Sequence, residues 1–200
     1  KKIISNLKNY GSLIIINDCS YDGTEKILKS SSHKVLKNDI NLGYDLSLKK
    51  GLAYAKKKKF KYIVTTDGDG EHQAHDVKKV IGLLKQHDVI FTTRNELFRK
   101  SEKILKYFSQ LLFEIEDPLS GLKGYTENAL NNYTFKNWKG SYGSDLLIYA
   151  KLNRFKIGNL KIKIKKRNDN SRVGNNILVN LLMIKLIVRY FFIYLLNKTK

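Results

Sequence analysis

Short apolar runs of strand length alternate with stretches of helical periodicity along most of the chain. Residues 12–17 and 62–66 are such runs, and residues 43–59 between them repeat apolar side chains at helical spacing. The same patterns predict further strands at 35–36, 88–93 and 156–165 and helices at 24–30, 77–86, 102–113 and 142–152. Alternating strands and helices predict an α/β fold with a mainly parallel central sheet flanked by helices.

Acidic turns directly follow two of the predicted strands. Asp18 closes the first apolar run, and Asp67 comes immediately after the second. Ligands of open α/β sheets bind beyond the carboxyl ends of the strands. The pattern therefore predicts that the two carboxylate clusters lie on the same rim of the sheet.

The composition narrows the class of protein. The chain has 200 residues, of which 42% are hydrophobic and 28% are charged, as is typical of a globular domain. Cys19 is its only cysteine, which excludes an internal disulfide and a multi-cysteine metal site. A chain without disulfides suits a reducing compartment, and we expect a cytoplasmic location.

The formal net charge of +20 indicates attraction to an anionic partner. Only six of the 38 basic residues are arginine, the residue best suited to reading bases and clamping phosphates with two parallel hydrogen bonds. The excess of lysine argues against nucleic acid as the partner. It leaves an anionic membrane surface, or a bias in composition, as the explanation of the charge.

The segment Asp67-Gly68-Asp69-Gly70 is the candidate metal site. Two carboxylates separated by one residue point the same way in an extended segment, and hard cations such as Mg²⁺ or Mn²⁺ bind carboxylate oxygens. Glu71 and His72 follow as further candidate ligands. The two glycines allow phosphates to approach the backbone closely. The alternative is a solvated acidic turn, because Asp and Gly are common turn residues.

Several segments, in the same order, resemble motifs of family 2 glycosyltransferases with the GT-A fold, and most closely the dolichyl- or polyprenyl-phosphate sugar synthases among them. IIINDCSYDGT at 14–24 is similar to the VVDDGSTDGT turn, and DGDGEHQ at 67–73 to the DADLQHPP metal motif. Thr93-Arg94 resembles S/T-R, DPLSGLKGY at 117–125 resembles D-x-x-S-G-F, and residues 167–172 resemble R-x-x-G-x-S-K. The resemblance implies a metal-dependent transferase that takes a hexose from a nucleotide-sugar donor.

The resemblance also implies roles for individual residues. Those implied to contact the nucleotide or to line the donor are Ile16, Asp18, Thr66, Asp67 and Gly68. Those implied to bind phosphates of the donor or acceptor are Arg94, Arg167 and Arg172. The implied ligands of Mg²⁺ or Mn²⁺ are Asp67, Asp69 and Glu71. For each arginine the alternative is a surface salt bridge.

The sequence departs from the family pattern at two places that bear on the donor pocket. Asn17 stands where the family has its first aspartate, so Asp18 alone is expected to hold a ribose hydroxyl. The family's first strand, with its P-x-Y/F-N-E signature, has no counterpart before Lys1, and one inner position of the sheet is therefore expected to be vacant. This departure keeps open a different class, an inactive nucleotide-binding or membrane-docking relic.

Two kinds of acceptor fit the sequence. A polyprenyl phosphate is already anionic and needs no general base, whereas a saccharide hydroxyl does. Asp145 and Asp117 are the candidate bases and, with Asp69, the candidate catalytic residues. Their alternatives are a helix N-terminal carboxylate for Asp145 and a turn carboxylate for Asp117. Ser120-Gly121 and the basic motif at 167–172 favour the lipid phosphate.

Residues 175–200 form an apolar, basic tail after a catalytic domain predicted at 1–174. The stretch 177–196 is long enough to span a hydrocarbon core of ~30 Å. However, Lys185 and Arg189 lie near its middle, which favours a monotopic helix on the inner face of the plasma membrane. The alternatives are a helix buried by packing within the chain and a dimerisation helix, of which only the second implies a homo-oligomer.

Overall fold

Six strands form two separate sheets in the computed structural model, which describes residues 2–97, 99–133, 141–165 and 177–198. In chain order the strands are β1 (Ile14–Asp18), β2 (Lys34–Asn38), β3 (Tyr62–Thr65), β4 (Val89–Arg94), β5 (Lys123–Thr126) and β6 (Ile157–Ile162). Strands β1 and β2 pair in parallel, with Ile14 opposite Lys34. The other four follow the order β3-β5-β4-β6.

Eight α-helices connect or flank these strands within the described residues. They are α1 (Lys2–Leu7), α2 (Thr24–Lys29), α3 (Tyr44–Lys57), α4 (Ala74–Leu83), α5 (Lys100–Phe113), α6 (Glu127–Asn132), α7 (Tyr142–Leu152) and α8 (Ile177–Lys198). The elements predicted from apolar periodicity are confirmed, with their ends shifted by a few residues at most.

Strand β5 and helix α6 are the elements that periodicity does not predict. Strand β5 is antiparallel to both of its neighbours, with Gly124 opposite Val64 on one side and Ile90 on the other. It is short and contains a buried lysine and a glycine, so it has neither an apolar run nor an alternating pattern. Three of the four strands of this sheet, β3, β4 and β6, run in the same direction, as expected, and β5 between them is antiparallel.

Helix α3 packs against both sheets. Gly51 lies so close to β1 that a Cβ there would be 3.1 Å from Cδ1 of Ile16, while Leu52 belongs to the main core together with Val89 of β4. Within the described residues β1 and β3 are not paired with each other. The helix therefore connects strands β1 and β2 with the rest of the domain.

The main core is formed by α5, α7 and α8 together with β4 and β5. Tyr190 of α8 is fully buried there, and its ring stands edge-on to Phe113 of α5 at 6.0 Å between ring centroids. One face of the C-terminal helix therefore packs on the domain. The domain boundary predicted at residues 174 and 175 lies outside the described residues.

Candidate functional site

The Asp67–Gly70 segment directly follows β3 and lies at the rim of the larger sheet. A Cβ added at Gly68 would meet no atom within 4 Å, so the backbone of the segment borders open space at this position. Gly70 has a φ of 84°, a left-handed conformation that glycine adopts without strain. The backbone N–H of Glu71 donates to Oδ1 of Asp69 at 3.0 Å, which closes the turn. Thr66 is half-buried between the strand and this turn.

Asp67 is held against the loop that precedes β5. A Cβ on Gly121 would lie only 2.1 Å from Oδ2 of Asp67, far inside van der Waals contact. Position 121 therefore has to be glycine for the carboxylate to take this place. Thr65 strengthens the same junction, because its hydroxyl donates to the carbonyl of Gly121 at 3.0 Å. The tertiary fold in this way joins the Asp67 turn to the segment 117–121, which is 50 residues away along the chain.

Asp117 forms a buried ion pair with Arg94 at the end of β4. Nε and Nη2 of Arg94 donate to the two carboxylate oxygens of Asp117 at 2.8 and 3.0 Å, and the backbone N–H of Arg94 adds a third bond at 3.1 Å. Glu102 of α5 lies 3.5 Å from Nη2. Within the described residues Nη1 has no such contact, so this end of the guanidinium keeps hydrogen-bonding capacity.

Lys123 is a charged residue of the site that sequence reasoning does not single out. It lies on β5, is only 3% exposed, and donates from Nζ to the carbonyl of Ser120. Burial lowers the pKa of Lys123 to about 8, while the charges of Asp117, Asp67 and Asp45 act in the opposite direction. The residue therefore supplies a cation in the middle of three carboxylates. Its signal in the sequence is the lysine of SGLK, directly beyond the matched part of the D-x-x-S-G-F motif.

His72 lies inside the candidate metal site. Its side chain is only 2% exposed, Nε2 is 3.4 Å from Oδ2 of Asp67, and neither ring nitrogen has a hydrogen-bond partner among the described residues. A buried imidazole without a partner is unusual unless a ligand satisfies it. With three carboxylates in the same turn, the donor set suits a divalent cation. In the part of the chain that the structure describes, no three such side chains already converge on one point.

Asp18, the acidic residue of the other turn, is bound by the chain itself. Its Oδ1 accepts from Asn38 at 2.9 Å and from the N–H of Leu42 at 2.8 Å, and its Oδ2 accepts from the N–H of Gly43 at 2.8 Å. Burial acts to raise the pKa of Asp18, but these hydrogen bonds outweigh it and lower the pKa below its ordinary value. The carboxylate thus fixes the Asn41-Leu42-Gly43 loop that begins α3.

Tyr44 connects the two acidic turns. It follows Gly43, whose N–H binds Asp18, and it is near enough to the other turn for the charges of Asp67 and Asp69 to act on its hydroxyl. Desolvation, followed by these charges and that of Asp45, raises the pKa of Tyr44, although 52% of the residue is exposed. Both turns therefore border the same rim. Nothing in the sequence motif marks this tyrosine.

Ile16 and Asp145 make their main contacts away from the rim. The side chain of Ile16 packs on Gly51 of α3. Asp145 is buried in α7, and Nη1 of Arg189 in α8 donates to its Oδ2 at 2.7 Å. Burial raises the pKa of Asp145, while the bond to Arg189 acts to lower it. The role of Ile16 in nucleotide binding and that of Asp145 as a base stay predictions.

The basic motif that contains Arg167 and Arg172 lies outside the described residues. The last described residue before it, Lys165, donates its N–H to the carbonyl of Glu71 at 3.1 Å. Gln73 makes a parallel contact, from Nε2 to the carbonyl of Lys163 at 3.2 Å. The chain thus enters this motif from a position bonded to the Asp67–Glu71 turn.

A cavity of about 540 Å³ lies elsewhere, at the opposite ends of β3 and β4, lined by residues that include Lys61, His87 and Lys156. It contains none of the residues predicted for the site. The chemistry-bearing residues are on the rim instead, where Asp67, Asp117, Arg94 and Lys123 are brought together.

Comparison with known proteins bears on the fold and the family. Residues 4–107 match the family model described as Glycosyl transferase family 2. A protein of Methanocaldococcus jannaschii that is described only as uncharacterized is 28% identical over 209 residues, which are 92% of this chain and 85% of that protein. The UDP-N-acetylglucosamine–dolichyl-phosphate N-acetylglucosaminyltransferase of Methanococcus voltae is 28% identical over 227 residues, covering 93% of this chain and 90% of the relative.

Solved structures resemble the chain over nearly its whole length. Glucosyl-3-phosphoglycerate synthase from Mycobacterium tuberculosis, in complex with Mn²⁺, uridine diphosphate and glucosyl-3-phosphoglycerate, has a TM-score of 0.72 at 16% identity. The match covers 96% of this chain and 73% of the synthase. A complex of the same synthase with Mn²⁺, UDP-glucose and phosphoglyceric acid gives the same TM-score. This likeness confirms the predicted GT-A fold.

Proposed function

Because the chain belongs to glycosyl transferase family 2, we propose that it transfers a hexose from a GDP- or UDP-sugar to a polyprenyl phosphate of the dolichyl type. The observation that carries this proposal is the contact of Asp67 with Gly121. It joins the carboxylate turn to the loop whose Asp117 holds Arg94, so that groups suited to a metal and groups suited to phosphates lie side by side.

The donor diphosphate is assigned to the Asp67–Glu71 turn. Asp67, Asp69 and Glu71 would hold the divalent cation, Mg²⁺ or Mn²⁺, with His72 as a further ligand. When bound, such a cation neutralises charge on the diphosphate leaving group. The open space at Gly68 allows the phosphates to reach the backbone, and Asp18 and Tyr44 border the side from which the nucleotide enters.

The acceptor phosphate is assigned to the basic side of the site. Arg94 and Lys123 supply positive charge there, and Arg167 and Arg172 stay predicted phosphate ligands. An oxygen of the acceptor phosphate attacks the anomeric carbon, the bond from that carbon to the diphosphate oxygen breaks, and the nucleoside diphosphate leaves with the electron pair. Because the attacking oxygen is already anionic, no general base is needed.

The burial of Asp145 supports the lipid phosphate over a saccharide acceptor. A base for a sugar hydroxyl has to reach that hydroxyl directly or through one water. Asp145 is 7% exposed, and its carboxylate is bonded to Arg189. The methanogen relative that uses UDP-N-acetylglucosamine and dolichyl phosphate supports the same choice. We assign the reaction to the cytoplasmic face of the plasma membrane. The lipid acceptor is present there, and the reducing cytoplasm suits a chain whose one cysteine forms no disulfide.

The test supplies the purified protein with radiolabelled UDP-N-acetylglucosamine, UDP-glucose or GDP-mannose, a divalent cation, and a polyprenyl phosphate in detergent. We expect label to enter the organic phase with one of these donors. The free polyprenol, which lacks the phosphate, serves as the control acceptor and should receive none. Transfer to a saccharide in place of the lipid would overturn the acceptor assignment. The absence of both transfer and metal-dependent donor hydrolysis would favour an inactive relic.

A further inference from the structure

Helix α8 has two apolar faces, and only one of them packs on the protein. Leu186 and Tyr190 lie in the main core on the inner face. The outer face is apolar and exposed, and its members are Leu181, Ile184, Val188, Phe191, Phe192 and Leu195. Scattered exposed apolar residues are ordinary, but a contiguous face of this kind marks an interaction surface.

Helix α5 packs against α8 and has an exposed apolar face of its own. Its inner stripe, which includes Leu105 and Phe113, is buried in the core, whereas Ile104, Tyr107 and Leu111 are exposed at helical spacing on the outside. We call these three residues, together with the six of the outer face of α8, the two-helix surface. Lys100 and Lys103 of α5 and Lys185 of α8 are exposed along it.

The contacts of α8 favour a helix that lies along the domain over one that leaves the domain to span a membrane. By length and composition the helix could cross a membrane. As it is packed here, however, Arg189 is bonded to Asp145 of α7 and Tyr190 is fully buried. A spanning orientation would break this ion pair, extract the tyrosine from the core and move the arginine into hydrocarbon, each of which is unfavourable.

Helix α5 also contacts the candidate site. Glu102 in the first turn of α5 contacts Arg94 of the site at 3.5 Å and Arg99 at 2.6 Å. Ile104, the first member of the surface, is only two residues further along the same helix. Helix α5 therefore contacts Arg94 of the site through Glu102 and exposes an apolar stripe that begins at Ile104.

We propose that the two-helix surface binds an anionic lipid bilayer, with α5 and α8 lying in the plane of the interface. Aromatic and aliphatic side chains enter the boundary between headgroups and acyl chains, and the flanking lysines contact anionic headgroups. The net charge of +20 matches this partner. This inference rests on the proposed function, because binding of the surface to a bilayer would bring Arg94 close to the phosphate of a lipid acceptor.

The first test is flotation of the full chain with vesicles, without donor or acceptor. We expect binding to vesicles of phosphatidylcholine with 30% phosphatidylglycerol to be at least about tenfold tighter than to phosphatidylcholine alone, since both apolar burial and headgroup charge contribute. Ile104→Glu with Leu111→Glu on α5, and separately Phe191→Glu with Leu195→Glu on α8, should each weaken binding to anionic vesicles by at least about tenfold. Ile40→Glu, at a residue as exposed as Leu111 but outside the surface, is the matched control and should bind normally.

Two measurements keep this inference separate from the proposed function. Transfer to a short-chain, water-soluble prenyl phosphate should survive in both double variants, because they change only the outside of α5 and α8. Loss of vesicle binding with retained transfer supports the membrane surface, whereas absence of transfer in every variant speaks against the proposed function alone. The inference is overturned if the unmodified chain does not bind anionic vesicles. It is also overturned if light scattering shows a dimer that the same substitutions dissociate, since a second copy would then cover the surface.

Discussion

The two acidic turns, one at Asp18 and one at Asp67, look alike in the sequence and differ in the structure. Each follows an apolar strand and presents aspartate beside small residues. Asp18 accepts three hydrogen bonds from the chain, two of them from backbone N–H groups of the loop before α3. Asp67 packs where Gly121 has no side chain, and next to it lies the imidazole of His72, whose ring nitrogens have no hydrogen-bond partner among the described residues.

The difference shows that two acidic turns of similar sequence are held by different contacts, which are hydrogen bonds from the chain at Asp18 and close packing against Gly121 at Asp67. A carboxylate whose oxygens are already bound by the chain contributes chiefly to local structure. Asp67 is positioned by close packing against Gly121, and the backbone next to it, at Gly68, borders open space. Predictions from both turns test this contrast, beginning with the largest expected effect.

Asp69→Asn should abolish metal-dependent binding of the donor. A carboxylate ligand is exchanged for a neutral amide of the same shape, so the cation loses charge neutralisation while the fold keeps its packing. Loss of several kcal/mol of transition-state stabilisation corresponds to a fall in transfer rate of at least about a hundredfold. Calorimetric titration with the nucleotide sugar, with and without Mn²⁺, checks the binding. An unchanged affinity together with a normal circular dichroism spectrum would contradict the assignment of the metal.

Gly121→Ala should reduce the transfer rate by about ten- to a hundredfold. The Asp67 carboxylate is still present in this variant, but it is displaced, and a small displacement of a positioned group is enough to slow a reaction. The new Cβ would lie 2.1 Å from Oδ2 of Asp67, so the carboxylate has to move. Overpacking should also lower the free energy of unfolding by about 1–3 kcal/mol.

Gly82→Ala is the matched control for this substitution. Gly82 lies inside α4 with nothing within 4 Å of an added Cβ, and alanine there should raise the free energy of unfolding by roughly 0.5–1 kcal/mol. Its transfer rate should be that of the unmodified protein. Equal losses of transfer in the two variants would show that the effect at Gly121 is not due to Asp67.

Asp18→Ala should affect stability more than the metal. Three donors lose their acceptor, and we expect the free energy of unfolding to fall by about 1–3 kcal/mol. Because the pKa of Asp18 is lowered in the folded protein, its contribution is present above the unfolded pKa of about 4 and is lost as the pH falls through the folded value. Chemical denaturation at several values between about pH 3 and 7 should show that the free energy of unfolding depends less steeply on pH in the variant than in the unmodified protein. A strong loss of Mn²⁺ affinity instead would make Asp18 a participant in the metal site.

Lys123→Met should change the pH dependence of stability. The pKa of Lys123 is lowered to about 8, below the unfolded value of about 10.4. Between these values the unfolded chain binds more protons, so this group makes the free energy of unfolding rise with pH there and leaves it constant below about pH 8. Denaturation with a chelator present, from pH 7 to 10 in roughly half-unit steps, should show that rise in the unmodified protein and not in the variant. The same slope in both proteins would place the titrating group elsewhere.

Apolar periodicity determined most of the secondary structure. Helix α7 begins and ends at the predicted residues, and strands β1, β3 and β4 differ from the predicted runs by one or two residues. These elements follow from local repeats of 2 and 3.6 residues, which the chain encodes directly. The resemblance to family motifs likewise identified the fold and the carboxylate turn before any contact was known.

The tertiary structure alone decided which motif residues act on one another. The loop before β5 places Gly121 against Asp67, and β5 itself brings Lys123 near enough for the charge of Asp67 to act on it, although no periodic pattern marks this strand. The pairing of Asp145 with Arg189 is decided by the packing of α8, 44 residues away along the chain. Such contacts depend on how elements distant in sequence fill space against each other, which local patterns do not encode.

The sequence by itself therefore determined an α/β glycosyltransferase with an acidic turn after each of two strands. Only the tertiary structure separated those turns, because burial and hydrogen bonding are properties of the neighbours that folding supplies. It assigned Asp18 to the loop before α3 and Asp67 to the rim beside Arg94 and Lys123. It also divided α8 into a face that packs on the core and a face that remains exposed, a division that an almost uniformly apolar stretch cannot specify on its own.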